Sequence, residues 1–288
     1  MNDRLVGTLL AAACADALGV AYEPAQSGPG DGEPKMLGGG YGGYAPGEYS
    51  DDTQQAVIIA QVAASGSDLR TDEALDRIAA GFVEDWLGGG ATDVGAQTRT
   101  LLTRAAGTPF RQVGGGALLR RIGAELHAES GRTAGNGSLM RTAPVALAYL
   151  GDPDAMVDAA RAVSALTHHD PIAGDACALW CLAIDHAIRT GEIDVRVGLS
   201  RIDTNGYWAT KIADAESQPA SAFAPSSGWV VAALQAAWSA IVRTQPGAGN
   251  VGVGDVGVGT LAWGTFAPGA VVRGIFVRGI FVRGSRLR

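Results

Sequence analysis

Residues 49–55 read Tyr49-Ser50-Asp51-Asp52-Thr53-Gln54-Gln55, which sets hydroxyl, carboxylate, carboxylate and hydroxyl on four consecutive positions. Adjacent carboxylates repel, and a cation, a basic partner or water relieves the repulsion. The atoms on offer are hard oxygens, which suit Mg²⁺ or Ca²⁺ better than zinc or copper. The same residues also suit a helix start, with Ser50 or Asp51 as N-cap and Asp52 at the positive end of the dipole. Both readings stand on residue types alone.

The elements that must hold these residues read as helices. Residues 6–18 are apolar and alanine-rich, with Asp3 placed to cap them. Thr71-Asp72-Glu73 opens a second helix that runs to about Trp86, its first turn acidic. Asp152-Pro153 opens another, proline being suited to the first helical position. Its buried stripe is Met156, Ala160, Val163 and Leu166/Thr167. Segments 171–188 and 228–242 are apolar around most of their circumference, as central helices of a bundle are. Strand patterns are few, so the expectation is all-α, with functional loops at 20–50, 88–93, 107–116, 130–138 and 202–227.

The chain has 288 residues and a net charge of −7, which excludes a general nucleic-acid binder. No basic patch precedes a long apolar segment at the N-terminus, and no window approaches eighteen uninterrupted apolar residues. Neither a signal peptide nor a membrane span is therefore expected, and the expected location is the cytoplasm. The three cysteines are Cys14, Cys177 and Cys181. An odd count, with two of them four apart on a helix, reads as buried thiols rather than a disulfide frame. A zinc site from Cys177, Cys181 and His186 fits no closed four-ligand spacing.

Composition divides the chain. Residues 245–288 carry eleven glycines, five arginines and one acid, Asp255, a net of +4, whereas residues 1–244 carry a net of −11. Arg273-Gly274-Ile275-Phe276-Val277 recurs as Arg278-Gly279-Ile280-Phe281-Val282. Such glycine density is incompatible with a packed helix. The expectation is a helical domain over 1–244 and a poorly packed tail over 245–288, leaving an apolar patch uncovered near 228–242.

Four clusters fall in an order that resembles one family. They are Asp16-Ala17-Leu18-Gly19-Val20-Ala21-Tyr22-Glu23, Tyr49-Ser50-Asp51-Asp52-Thr53, Gly135-Asn136-Gly137-Ser138-Leu139-Met140-Arg141-Thr142 and Leu166-Thr167-His168-His169-Asp170-Pro171. Together they are similar to the ADP-ribosylglycohydrolases, over about residues 3–243. The resemblance implies a single-domain orthogonal helical bundle with two Mg²⁺ ions in a central cleft. It implies hydrolysis of the glycosidic bond between ADP-ribose and a protein side chain or small ADP-ribosyl compound, with neither nucleic acid nor membrane as partner.

By the same resemblance Glu23, Asp51 and Asp52 are catalytic, and Ser50, Asp51, Asp52 and Asp255 are metal ligands. Substrate contacts fall to Gly135, Asn136, Gly137, Ser138 and His168. The turn at Asn136-Gly137-Ser138 can offer backbone N–H groups to a pyrophosphate, or be a plain turn. Arg141 is either a ligand or a structural ion-pair residue. The family closes on Gly-Asp-x-Asp-Thr, whereas here Gly254-Asp255-Val256-Gly257-Val258 keeps one of the two acids. A half-built metal site follows, so weak turnover, or an inactive homologue that only binds ADP-ribose, is expected.

Overall fold

The computed structural model describes residues 2–23, 34–108, 110, 114–203 and 205–244. Among these residues regular structure is helical: eleven α-helices and several short 3₁₀ turns, with two isolated β-bridges and no strand. The tail from residue 245 onward, Asp255 included, lies outside them.

Helix α1 spans Asn2–Gly19 and runs into a 3₁₀ turn, Val20–Tyr22, that delivers Glu23. Asp3 sits inside its first turn rather than capping it. Helix α2 spans Asp51–Ala64, and Ser50 at its N-cap makes no side-chain cap bond. The cap comes from α1 instead. The Asp16 carboxylate accepts from the backbone N–H of Ser50 (2.9 Å) and Thr53 (3.1 Å) and from both hydroxyls (2.5 and 2.7 Å). One buried carboxylate thus ties the end of α1 to the head of α2 and satisfies donors that a helix start leaves orphaned.

Helix α3, Asp72–Ala80, is capped by Thr71, whose hydroxyl accepts from Ala74 N. It continues to Leu87 as a π-wound segment, Gly81–Leu87. The crossing with α2 is close there. A Cβ on Gly81 would stand 2.5 Å from Ile58 Cγ2, so only glycine fits. Helix α4 is Ala96–Ala106, α5 Gly115–Ser130 and the short α6 Ala143–Ala148. Helices α7 (Pro153–Ser164) and α8 (Pro171–Thr190) start as expected, with Asp152 and Asp170 as caps and proline in first position. The expected stripe of α7 is buried throughout.

Helix α8 is the axis of the bundle, packed by α6, α7 and α11 (Val230–Thr244). One apolar core runs from Ile59 to Ile241, with Phe82, Leu101, Leu119, Met156, Leu166, Leu179 and Leu234 wholly enclosed. The segment expected as a loop over 202–227 holds α9 (Leu199–Ile202) at its start and α10 (Tyr207–Ser217), which buries Trp208, Ile212 and Ala215.

The uncovered patch lies elsewhere than expected. Helix α11 is buried along most of its length. Apart from Trp229, the exposed large apolar residues include Val6 and Leu10 on α1, Val57 on α2 and Tyr49 between them. By length and composition alone, residues 3–22 and α8 are apolar enough to span a membrane. Both belong to the bundle: α8 is its axis, and Asp16 in the first of them caps α2.

Candidate functional site

Residues from six separate stretches converge on one cleft of about 640 Å³. Glu23 comes from the end of α1, Asp51 and Asp52 from the head of α2, and Asp93 from the loop after the π segment. Gln97 comes from the first turn of α4. The far wall is made by Gly135, Asn136, Gly137, His168 and Trp229. That size suits a nucleotide-sized ligand, and the lining is polar where the acids meet.

The far wall is built by chain pairing that helix periodicity does not reveal. Val230 N donates to Ala134 O (3.0 Å) and Asn136 N to Gly228 O (3.1 Å), with the Asn136 amide donating to Ser227 O. This isolated bridge brings Trp229, 40% exposed, to the cleft beside Gly135. Gln97 donates through Nε2 to Thr167 O (2.7 Å) and so joins α4 to the corner that carries His168.

The near wall concentrates negative charge. Asp51 and Asp52 are 8% and 6% exposed. Burial, then the charges of Asp93 and Asp16, push the Asp51 carboxyl up to about 8. Burial, then Asp16, Asp51 and Asp93, push Asp52 well above the usual carboxylate range. Asp93 is raised in the same way, by burial and then Asp16. Asp52 Oδ2 and Asp93 Oδ2 are buried without a hydrogen-bond partner. Buried acceptors left open beside like charges are a seat for positive charge.

The protein's own positive charge stays below this wall. Arg141 is wholly buried and absent from the cleft lining. Its guanidinium stacks over the Phe82 ring at 4.3 Å and donates to Gln55 Oε1 and to Thr167 Oγ1 (2.6 Å). It is therefore a structural cation. Burial lowers it to about 10, so it stays charged at neutral pH.

Of the residues singled out in the sequence, the fold brings Glu23, Asp51, Asp52, Gly135, Asn136, Gly137 and His168 to the cleft. Ser50 and Ser138 are not among its lining residues. Ser50 is wholly buried against Asp16, and the Ser138 hydroxyl accepts from Ser164 (2.9 Å) in the interior. Asp255 lies outside the described residues. Cys177 faces Ser138 and Cys181 faces Thr142, whereas His186 lies toward Glu192, so the three do not form a zinc site. Among the described residues no three His, Cys, Asp or Glu side chains close around a common point tightly enough to hold a metal by themselves.

Residues 1–254 match the family model described as ADP-ribosylglycohydrolase. The chain belongs to the ADP-ribosylglycohydrolase family. It is 28% identical over 192 residues to the ADP-ribosyl-[dinitrogen reductase] glycohydrolase of Rhodospirillum rubrum, covering 65% of this chain. The aligned part spans 59% of that relative's length. A solved structure described as an ADP-ribosylglycohydrolase-related protein complex superposes with a TM-score of 0.59 at 28% identity. The match covers 84% of this chain and 76% of that one.

Within this ADP-ribosylglycohydrolase fold, four contributors are not marked as site residues by the sequence. Asp93 sits in a loop that was marked as functional, but a lone acid after Gly88-Gly89-Gly90 carries no spacing signal. Gln97 and Trp229 reach the cleft only through tertiary pairing. Asp16 had a visible signal in retrospect: it is a carboxylate on the otherwise apolar face of α1, 1% exposed, and such a group must find donors.

Proposed function

We propose that this chain binds ADP-ribose in the cleft and hydrolyses the glycosidic bond joining it to a protein side chain or small acceptor, with weak turnover. The observation that carries the reading is the convergence of Glu23, Asp51, Asp52 and Asp93 opposite a glycine turn and a buried imidazole. Cleaving an N- or O-glycosidic bond needs a carboxylate to activate water or protonate the leaving group. Glu23, delivered from its own 3₁₀ turn on the glycine-loop side of the cleft, is assigned that role. Trp229 offers a ring face for the adenine, and the 135–137 turn and His168 face the pyrophosphate and proximal ribose.

The donor chemistry of the near wall fits Mg²⁺, since the open acceptors at Asp52 and Asp93 are carboxylate oxygens. Asp51, Asp52 and Asp93 would supply part of its shell, completed by oxygens from outside these three, for which Asp255 of the tail is a candidate. Bound there, Mg²⁺ supplies positive charge against ribose hydroxyl oxygens. Ser50 Oγ donates to Asp16 and so orients the α2 head, while its lone pairs leave it a candidate oxygen ligand.

A binding-only protein is the second reading. It is favoured by the lack of a closed metal-ligand group among the described residues. Calorimetry of ADP-ribose with and without Mg²⁺, paired with turnover of ADP-ribosyl-arginine and ADP-ribosyl-serine peptides, separates the two. Mg²⁺-dependent binding with slow turnover that Glu23→Gln abolishes supports the hydrolase. Binding without turnover selects the second reading, and absence of binding refutes both.

A further inference from the structure

We infer that Arg141 and Thr167 are positioning residues that lock His168 in the neutral tautomer protonated on Nε2. The imidazole thus presents a fixed N–H donor to a ligand oxygen and takes no part as an acid or base. The inference rests on the ADP-ribose-binding reading only for the identity of that oxygen.

The argument follows the protons. Arg141 has only donors. Its guanidinium nitrogen lies 2.6 Å from Thr167 Oγ1, so the hydroxyl must accept there. Thr167 Oγ1 is also 2.7 Å from His168 Nδ1. Two assignments are conceivable for that contact. If Nδ1 carried a proton, it would donate to the same oxygen that Arg141 already occupies. The Thr167 hydroxyl proton would then lack an acceptor in a site where Thr167 is 1% exposed. A buried unmade hydrogen bond is costly. If Nδ1 is bare, the hydroxyl donates to it and every proton is used. The chain Arg141→Thr167→His168 therefore runs one way, and the neutral imidazole carries its proton on Nε2.

The second assignment also places that proton in the cleft. His168 lines the cleft, and ideal Cβ atoms at Gly135 and Gly137 would each stand 3.2 Å from its Nε2. The two glycines leave the ring edge uncovered between them. Among the described residues no protein hydrogen bond reaches Nε2. Its donor is thus reserved for something that enters the cleft, and an anionic or hydroxyl oxygen of the ligand suits it. A second proton on Nδ1 is opposed by burial and by the adjacent guanidinium, both of which hold the imidazole well below its ordinary range.

Among the charged and titratable groups around this corner, Arg141 is the one that acts on the His168 ring. Arg141 lies behind it, His169 follows it with its ring against His127 at 5.5 Å, and Asp170 shares the cleft lining. Cys177, near Ser138 on the core side, is raised by burial and remains a thiol at neutral pH.

The test is long-range ¹H–¹⁵N spectroscopy of the His168 ring in the full-length protein, from pH 5 to 9. The expected pattern is a pyridine-type Nδ1 and a pyrrole-type Nε2 with no titration in that range. Thr167→Val removes the hydroxyl and should scramble the tautomer. Thr167→Ser keeps the hydroxyl and should preserve it, which guards against a merely structural explanation. ADP-ribose titrated against the same samples should bind about tenfold more weakly to the valine variant and near wild-type strength to the serine variant. A pyrrole-type Nδ1, or a ring that titrates near neutral pH, overturns the inference whether or not ADP-ribose binds. Failure of ADP-ribose to bind the wild type, with the expected ring pattern intact, leaves the lock standing and removes the functional reading instead.

Discussion

Replacing Asp51 by asparagine is expected to make the cation-free protein more stable, and increasingly so as pH rises. Asp51 is pushed from 3.8 up to about 8 in the folded chain, by burial and then by Asp93 and Asp16. Between those values the native state holds a proton that the unfolded chain releases. Wild-type stability therefore falls as pH rises through this window and levels off above about pH 8. The full linkage for one such group is a ceiling of about 6 kcal/mol at pH 8. Asp52 and Asp93 remain ionisable in the variant and redistribute the relief. About a third of the ceiling, ~2 kcal/mol, is therefore expected, or roughly 4–8 °C in Tm for a chain of this size. Asparagine keeps the shape and cannot ionise, so the gain should vanish near pH 4. The assay is thermal unfolding of both proteins in a chelator from pH 4 to 8.5, repeated with saturating Mg²⁺. The cation should raise the wild-type Tm and the variant's much less, because ligand binding to the native state stabilises by mass action. An Asp51→Asn protein that melts below wild type at pH 8 in chelator, or whose gain is independent of pH, would refute the charge-crowding argument.

Asp16→Asn should destabilise by about 1–2 kcal/mol, since one oxygen of a carboxylate accepting from Ser50 and Thr53 becomes an NH₂ that faces donors; chemical denaturation reads it. Arg141→Met should cost about 3 kcal/mol or more by leaving Gln55 and Thr167 with lost partners in the core, measured as a fall in Tm. Gly40→Ala and Gly39→Ala share the penalty of a positive φ (+64° and +91°), but only the first meets neighbours. Its Cβ would stand 2.9 Å from Val20 O and 3.3 Å from Glu23 Oε2, whereas Gly39 has open space. Both variants should thus lose stability, Gly40→Ala the more, and Gly40→Ala alone reduces turnover by about a hundredfold through displacement of Glu23. Equal turnover in both would show that the glycine loop does not position the carboxylate.

How much of this could be read from the sequence depended on whether a residue's role is local. The caps at Thr71, Asp152 and Asp170 were legible because an N-cap bonds within three residues of itself. The stripe of α7 was legible because burial there follows the 3.6-residue period. Helix α10 was hidden by its short stripe and by the Asn205-Gly206 turn signal before it. The patch expected on the face of α11 failed because that helix is covered by α8 and α10 on the sides the sequence could not assign.

The acidic motif shows the limit most clearly. Its residue types suit a helix cap as well as a cation seat, and the fold gives the cap to a carboxylate from another helix. Asp16, from another helix, takes the donors at the head of α2. That frees Asp51 and Asp52 from capping and leaves their oxygens to the cleft, beside an Asp93 that no spacing rule connects to them. The crowded carboxyl groups are costly to ionise without a ligand, because Arg141, wholly buried beneath them, is held by Gln55 and Thr167 and is absent from the cleft lining. A fold selected only for stability would bring a basic side chain up to those oxygens or replace them. Strain held in one corner of an otherwise consistent bundle is what a binding site requires, since a ligand can stabilise only what the protein has left unsatisfied.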